Sequence, residues 1–355
     1  MMCKTWMTAL IVLAVAVVAP AASNIVSPAQ PGYAVEDVLT GHWISGFDFA
    51  NGSAFAWAGG TLKQLDGATG ALVANYGAPV YQNAAGDPLS YFNSFVRIES
   101  PTSVWVGFTT SGNADDRIYQ VDLAAPAAVW TKKATLTGVQ DLAFYGGAVY
   151  AVGNPTAAAF GTDATVYRLA NGAPDDPNAH DGIATLGGYT AGLAMDAAGN
   201  LYYATNGTGA EKLLRFSSAQ VAAAVGAGML TAADGEVLSN LVGGAYDVDV
   251  DSAGNLLFNM NGAESLVARW SGVSGAGQNY DIVARGTAGG FHWFSMIDVE
   301  GDCSDLGGGT VYTGDFYNPG VGGVTVPEPG SLVLLAAGAL AAIRRRRRHC
   351  GVAKG

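Results

Sequence analysis

"DVDVDSAGNLLFNM", residues 247–260, decides how this 355-residue chain folds. Asp247, Asp249 and Asp251 alternate with valines, the two-residue period of a half-buried strand. Ala253-Gly254-Asn255 supplies the positive φ of a tight turn, and Leu256–Met260 is an apolar return strand. The same hairpin recurs as "GFDFANGSAFAW" from Gly46, "DLAFYGGAVYAV" from Asp141, "GLAMDAAGNLYYAT" from Gly192 and "MIDVEGDCSDLGGGTVYTG" from Met296. A weaker copy, "VRIESPTSVWVGF", starts at Val96. The matched return-strand positions are Phe55, Trp105, Tyr150, Tyr202, Leu257 and Tyr312, spaced by 45 to 55 residues.

Each of the first five hairpins leads into a third strand: "TLKQLD", "RIYQVDL", "TVYRLA", "KLLRFS" and "LVARWS". A fourth follows: "ALVANYG", "KATLTGV", "GIATLGG", "EVLSNLV" and "YDIVARG". Four antiparallel strands every 50 residues or so predict an all-β chain, a β-propeller of six four-stranded blades. A two-sheet sandwich is the alternative, but it leaves the period unexplained. The sixth hairpin has no clear third or fourth strand after Tyr312, whereas "VEDVLTG", residues 35–41, reads like a fourth strand with no hairpin before it. An N-terminal strand that completes the last blade closes the ring and removes exposed sheet edges. The propeller is therefore expected over residues 34–316, with "YNPGVGGVT", residues 317–325, as a Gly/Pro linker. The repeats broadly resemble those of NHL and quinoprotein-type propellers; no residue role is carried over from that likeness.

Both ends read as addresses. Residues 1–23 hold Lys4, the apolar stretch Met7–Val18 and then small residues, the pattern of a secretory signal peptide cut between Ala21 and Asn24. A retained N-terminal anchor is the alternative. At residues 326–349, Pro327, Glu328 and Pro329 precede the apolar run Ser331–Ile343 and the block Arg344, Arg345, Arg346, Arg347 and Arg348. This order closely resembles the PEP-CTERM sorting signal of exported bacterial proteins. The resemblance implies a short membrane helix held with its arginines in the cytoplasm, and recognition by an exosortase-type processing enzyme. It also implies passage through the Sec translocon, transient residence in the inner membrane, and release to the cell surface or extracellular matrix. Two features depart from the pattern: the apolar run is 13 residues where a span needs about 20, and "HCGVAKG" trails the arginines. A tail anchor that is never cleaved is the alternative.

Charge narrows the partners. With Lys4 and the six basic residues after Pro329 set aside, ten basic residues face 29 acidic ones, a net charge of −19 for residues 24–329. Such a surface repels phosphate backbones and excludes nucleic acid as a partner. Cys303 is the one cysteine between the two end segments, so the processed chain can form no internal disulfide.

Few residues suggest chemistry. "GHWISGFDF" and "GFHWFSMIDV" each place an aspartate six residues after the histidine of a His-Trp pair, giving His42, Trp43 and Asp48, then His292, Trp293 and Asp298. His42, Trp43, His292 and Trp293 are candidate ligand-binding residues at the channel mouth, able to stack on a sugar or bind a metal; inheritance of a packing motif across the seam is the favoured alternative. Calcium is the one cofactor with candidate ligands, Asp302 and Asp305, in the "GDCSDLGGG" insertion. No nucleophile elbow, HExxH, phosphate-binding loop or dinucleotide fingerprint occurs. The expectation is a non-enzymatic surface or matrix propeller, with extracellular polysaccharide as a candidate partner. The rival is a calcium-dependent lactonase or glycan lyase, in which Asp48, Asp249 and Asp298 converge in the channel; on the scaffold reading they stay dispersed.

Overall fold

A computed structural model of the chain describes residues 23–326, apart from 31–32, 41–42, 83–85, 87–89, 111–115, 126, 156–160, 173, 177–178 and 305–306. The six hairpins become six antiparallel blades. Each inner strand contacts the next and the sixth contacts the first, so the ring is closed. From blade 1 to blade 6 the inner strands are Ile44–Ala50, Tyr91–Ser100, Thr137–Tyr145, Leu193–Met195, Val248–Val250 and Phe294–Glu300. The fourth strand of blade 2 is Val129–Thr135, earlier than the expected "KATLTGV", because Thr137 already opens the inner strand of blade 3.

The matched positions share one register. Phe55 faces Asp48, Trp105 faces Arg97, Tyr150 faces Ala143, Tyr202 faces Ala194, Leu257 faces Asp249, and Tyr312 faces Asp298. The rings at these positions pack between blades. Tyr312 stacks on Phe49 of blade 1 at 3.9 Å between centroids, and Trp105 meets Phe144 of blade 3 at 5.9 Å. Burial of such interblade aromatics stabilises the contact between neighbouring blades, and the short strand Leu230–Thr231 of the blade 4 connection adds a parallel pairing to the outer strand of blade 3. Close approach sets the small positions: a Cβ at Gly46 would lie 2.8 Å from the Phe95 carbonyl carbon of the next blade.

Closure follows the expected route, with one correction. Ala34–Val38 is the outer strand of blade 6, paired antiparallel to Val321–Thr325. That partner lies inside the segment expected to be a linker. Residues 321–325 are the third strand of blade 6, paired to Thr310–Asp315 as well. The fold therefore runs past residue 316 to Val326, which is 2% exposed and donates its N–H to the Gly309 carbonyl at 2.9 Å. The glycines that suggested a linker are there for contact: a Cβ on Gly322 would approach the Val26 methyls at 2.9 and 3.1 Å.

The segment before the first blade is built into the fold too. Val26–Pro28 adds a fifth strand to blade 5, against Tyr280–Gly286. Ile25 and Val26 are buried, and the Ser23 hydroxyl accepts their backbone N–H groups at 3.1 and 3.0 Å while donating to Asp37. Ser23, the last residue of the expected leader, thus makes hydrogen bonds within the folded body. In blade 4, a helix Ser218–Ala224 fills the connection between third and fourth strands, started by a Ser217/Gln220 capping box. Among the described residues no helix is long and apolar enough to cross a membrane; residues 1–22 of the expected signal peptide and the apolar run Ser331–Ile343 lie outside them.

Candidate functional site

The shared register places Asp48, Arg97, Ala143, Ala194, Asp249 and Asp298 at one level of the central channel. All six line a cavity of about 260 Å³. Asp48, Asp249 and Asp298 are thus gathered rather than dispersed, which corrects the expectation attached to a scaffold. Beside this level the Arg97 guanidinium spans the channel. Its Nε lies 2.9 Å from Asp141 Oδ1 of blade 3, and its Nη2 is 2.9 Å from Asp247 Oδ2 of blade 5.

The carboxylates also hold blade to blade. Asp298 Oδ2 accepts the Phe49 N–H at 2.6 Å, Asp141 Oδ2 the Leu193 N–H at 3.1 Å, and Asp247 Oδ2 the Ile297 N–H at 2.9 Å. Asp48 Oδ2 accepts the Ile98 N–H in the same way. Each is a hydrogen-bonded clasp from one blade to the next.

Crowding around one guanidinium moves the titration of four carboxyls, those of Asp48, Asp141, Asp249 and Asp298. Burial pushes Asp48 up to about 7, against the pull of Arg97 and the Ile98 N–H. Burial likewise raises Asp298, Asp249 and Asp141 well above the ordinary carboxyl range. The repulsion of Asp48 adds to this at Asp298, with which it shares a hydrogen bond, and the repulsion of Asp298 adds to it at Asp249. A buried carboxyl that keeps its proton near neutral pH can donate it, so this level has acid–base capacity. Among the described residues no group of three His, Cys, Asp or Glu side chains is disposed to hold a metal ion.

The second feature is one face of the ring. Trp43, Phe92 and Phe316 are 60%, 67% and 46% exposed, and Tyr189, Phe291 and Tyr317 are exposed beside them. All six lie where an inner strand begins or where a second strand turns into a third, which is one end of every blade. Of the exposed aromatic side chains among the described residues, only Tyr145 sits at the other end. Trp43, Trp57, Tyr91, Phe92 and Phe316 line an open groove of about 300 Å³ with Asn93 on its wall.

The sequence candidates divide accordingly. Trp43 stands in the groove. Trp293 is half-buried against Tyr246, at 5.7 Å. His292 is buried and held at both nitrogens, by Asp315 Oδ2 at 2.6 Å and Thr287 Oγ1 at 2.8 Å. It is a packing element of the seam, and neither it nor Trp293 lines the groove in which Trp43 stands. Asp302 caps a turn, accepting the Ser304 N–H at 2.8 Å and the Asn255 amide at 3.3 Å. His42, Asp305, Pro327, Glu328, Pro329 and the five arginines lie outside the described residues. Sequence reasoning missed Arg97, Asp141, Phe92 and Phe316; the signal for Arg97 was its place opposite Trp105, equivalent to Asp48 opposite Phe55.

Residues 325–348 match the PEP-CTERM protein-sorting motif. Comparison with curated proteins returns no match. Among solved structures, the fold is similar to the PQQ-bound aldose sugar dehydrogenase of Streptomyces coelicolor, at 14% identity and a TM-score of 0.53 over 84% of this chain and 99% of that one. It is also similar to hydrazine synthase of Kuenenia stuttgartiensis, at 12% identity and a TM-score of 0.46 over 80% and 95%. At these identities the likeness shows the propeller fold alone.

Proposed function

We infer that this chain, a six-blade propeller that carries a PEP-CTERM sorting motif, is exported and processed by an exosortase-type enzyme, as the motif implies. We propose that it is a non-enzymatic ligand-binding protein of the cell surface or extracellular matrix, entering the Sec translocon by its N-terminal signal peptide and binding glycan through its aromatic face. The clustering of Trp43, Phe92 and Phe316 at one end of the ring carries this reading. A sugar offers a C–H face to an aromatic ring and hydroxyls to polar neighbours, and an apolar groove with a few polar groups suits it. The net charge of −19 on residues 24–329 opposes polyanions, so the ligand class is neutral polysaccharide. The test is binding of the processed protein to neutral and acidic glycan panels by calorimetry. We expect neutral glycans to bind and Trp43→Ala/Phe92→Ala to weaken binding at least tenfold with unchanged melting. A wild-type protein that ignores every neutral glycan sinks the proposal.

A second reading, an envelope enzyme acting on a glycan or lactone, is favoured by one observation: Asp48, raised to about 7, faces the 260 Å³ cavity. It requires turnover that Asp48→Asn abolishes while glycan binding at the aromatic face persists.

A further inference from the structure

The folded body is sealed at both ends, and the sealed edges limit where the chain can be cut. At the C-terminal edge Thr325 pairs with Thr310 on one side and Ala34 on the other, and Val326 is buried with its N–H on Gly309. The sorting motif begins at residue 325, so its first two residues are part of blade 6. A cut before Thr325 would take away strand Val321–Thr325 or its end, and with it the strand that, among the described residues, pairs with the closing strand Ala34–Val38; a cut before Val326 would discard the buried Val326 and its bond to Gly309. At the N-terminal edge Ser23 caps Ile25 and Val26, and the Asn24 N–H donates to Asp37 Oδ2 at 2.7 Å. A cut after Ser23 would discard that cap.

We propose that the mature chain keeps everything from Ser23 to Val326: the leader is removed at or before the Ala22–Ser23 bond, and the sorting signal is removed at a bond beyond Val326. In each hydrolysis the amide C–N bond breaks, the acyl carbon takes the hydroxyl of water, and the released nitrogen takes the proton. This rests on the sorting part of the proposed function and is independent of the glycan part.

The same edge sets how the body meets the membrane before release. The third strand of blade 6 starts at the aromatic face and ends at the opposite one, where Gly309 lies in the loop between the first and second strands. Four residues, 327–330, separate Val326 from the apolar run, and four extended residues reach about 14 Å at most. The tethered body therefore holds the rim of its non-aromatic face against the bilayer, and the aromatic groove points away from it. The ligand face is open while the sorting enzyme works.

Two measurements test this in the native host. The first is top-down mass spectrometry of surface and medium protein. Termini at or before Ser23 and beyond Val326 support the assignment. A terminus inside 23–326 on folded protein overturns the assignment and leaves the sorting reading standing; a chain with both ends intact overturns the two together. The second uses cells without the sorting enzyme, with a photo-crosslinking side chain at exposed Ala253, beside the blade 6 loop, or at Tyr317 on the aromatic face. At least tenfold more lipid or membrane-protein adducts from position 253 are expected. Equal labelling, or more from 317, overturns the orientation.

Discussion

Arg97 in blade 2 and Asp247 in blade 5, on opposite sides of the ring, meet across the channel at 2.9 Å. Asp141 of blade 3 holds the other edge of the same guanidinium. One side chain thus ties three blades at the axis. The pair is nearly dry, so its worth lies in mutual compensation: each charge is tolerable because the others are present.

Removing Arg97 leaves two buried carboxylates uncompensated. Arg97→Met is expected to destabilise the protein by about 3–5 kcal/mol at pH 7, as loss of one partner of a buried ion pair does. The measurement is equilibrium urea unfolding. The cost should shrink at pH 4.5, because burial raises the titration of Asp141 and acid favours its neutral form, which needs no cation. An equal cost at both pH values would mean that Arg97 acts by packing alone.

Asp48 sets a pH dependence whose sign follows from its raised pKa. Below the ordinary carboxyl value both folded and unfolded chains are protonated, and nothing is lost. Between about 4 and 7 the unfolded chain ionises while folded Asp48 holds its proton, so stability falls as pH rises through that window and levels off above it. One pH unit corresponds to about 1.4 kcal/mol at full shift. Partial solvent access reduces the total to about 1–2 kcal/mol. Asp48→Asn keeps the acceptor for the Ile98 N–H and should remove that slope, read as the difference between wild-type and variant melting curves from pH 4 to 8. A difference that grows with acidity would refute the assignment.

The Cys303 thiol is buried, and burial followed by the charges of Asp251 and Asp249 pushes its pKa far up. Once the segments bearing Cys3 and Cys350 are removed it is the only cysteine. We expect no reaction with Ellman's reagent in the native protein over an hour, and one thiol per chain in denaturant. Rapid native labelling would place the blade 6 loop in an open state.

Much of the fold was legible because turn glycines and alternating strands repeat with a period that no other architecture explains. The blade 6 strand Val321–Thr325 was not, because Gly322 and Gly323 look like a linker until the N-terminal segment is laid across them. The channel was half legible. From Asp48 to Phe55 is seven residues but from Asp298 to Tyr312 is fourteen, since the loop Gly301–Gly309 lengthens one hairpin, and this hides their equivalence. Phe92 and Phe316 carry no sequence signal at all: an aromatic at a strand end reads as core, and only the direction of the blade shows that it faces water.

Closure of the ring should be the point where the two ends of the folded chain are most sensitive. Gly322 sits between Asp37 and Thr313 in the ladder, and a side chain there must enter the space held by Val26 and Ile25. Gly322→Val is expected to cost about 1–3 kcal/mol by overpacking. The loss should be local at first, because the N-terminal segment is expelled before the other blades are disturbed. Limited proteolysis is therefore the sharper readout: the variant should release peptides from residues 23–38 while blades 2–4 stay protected. Wild-type protein should resist at the same protease concentration. Uniform digestion of the variant would show instead that the ring opens as one cooperative unit, with its ends no weaker than its middle.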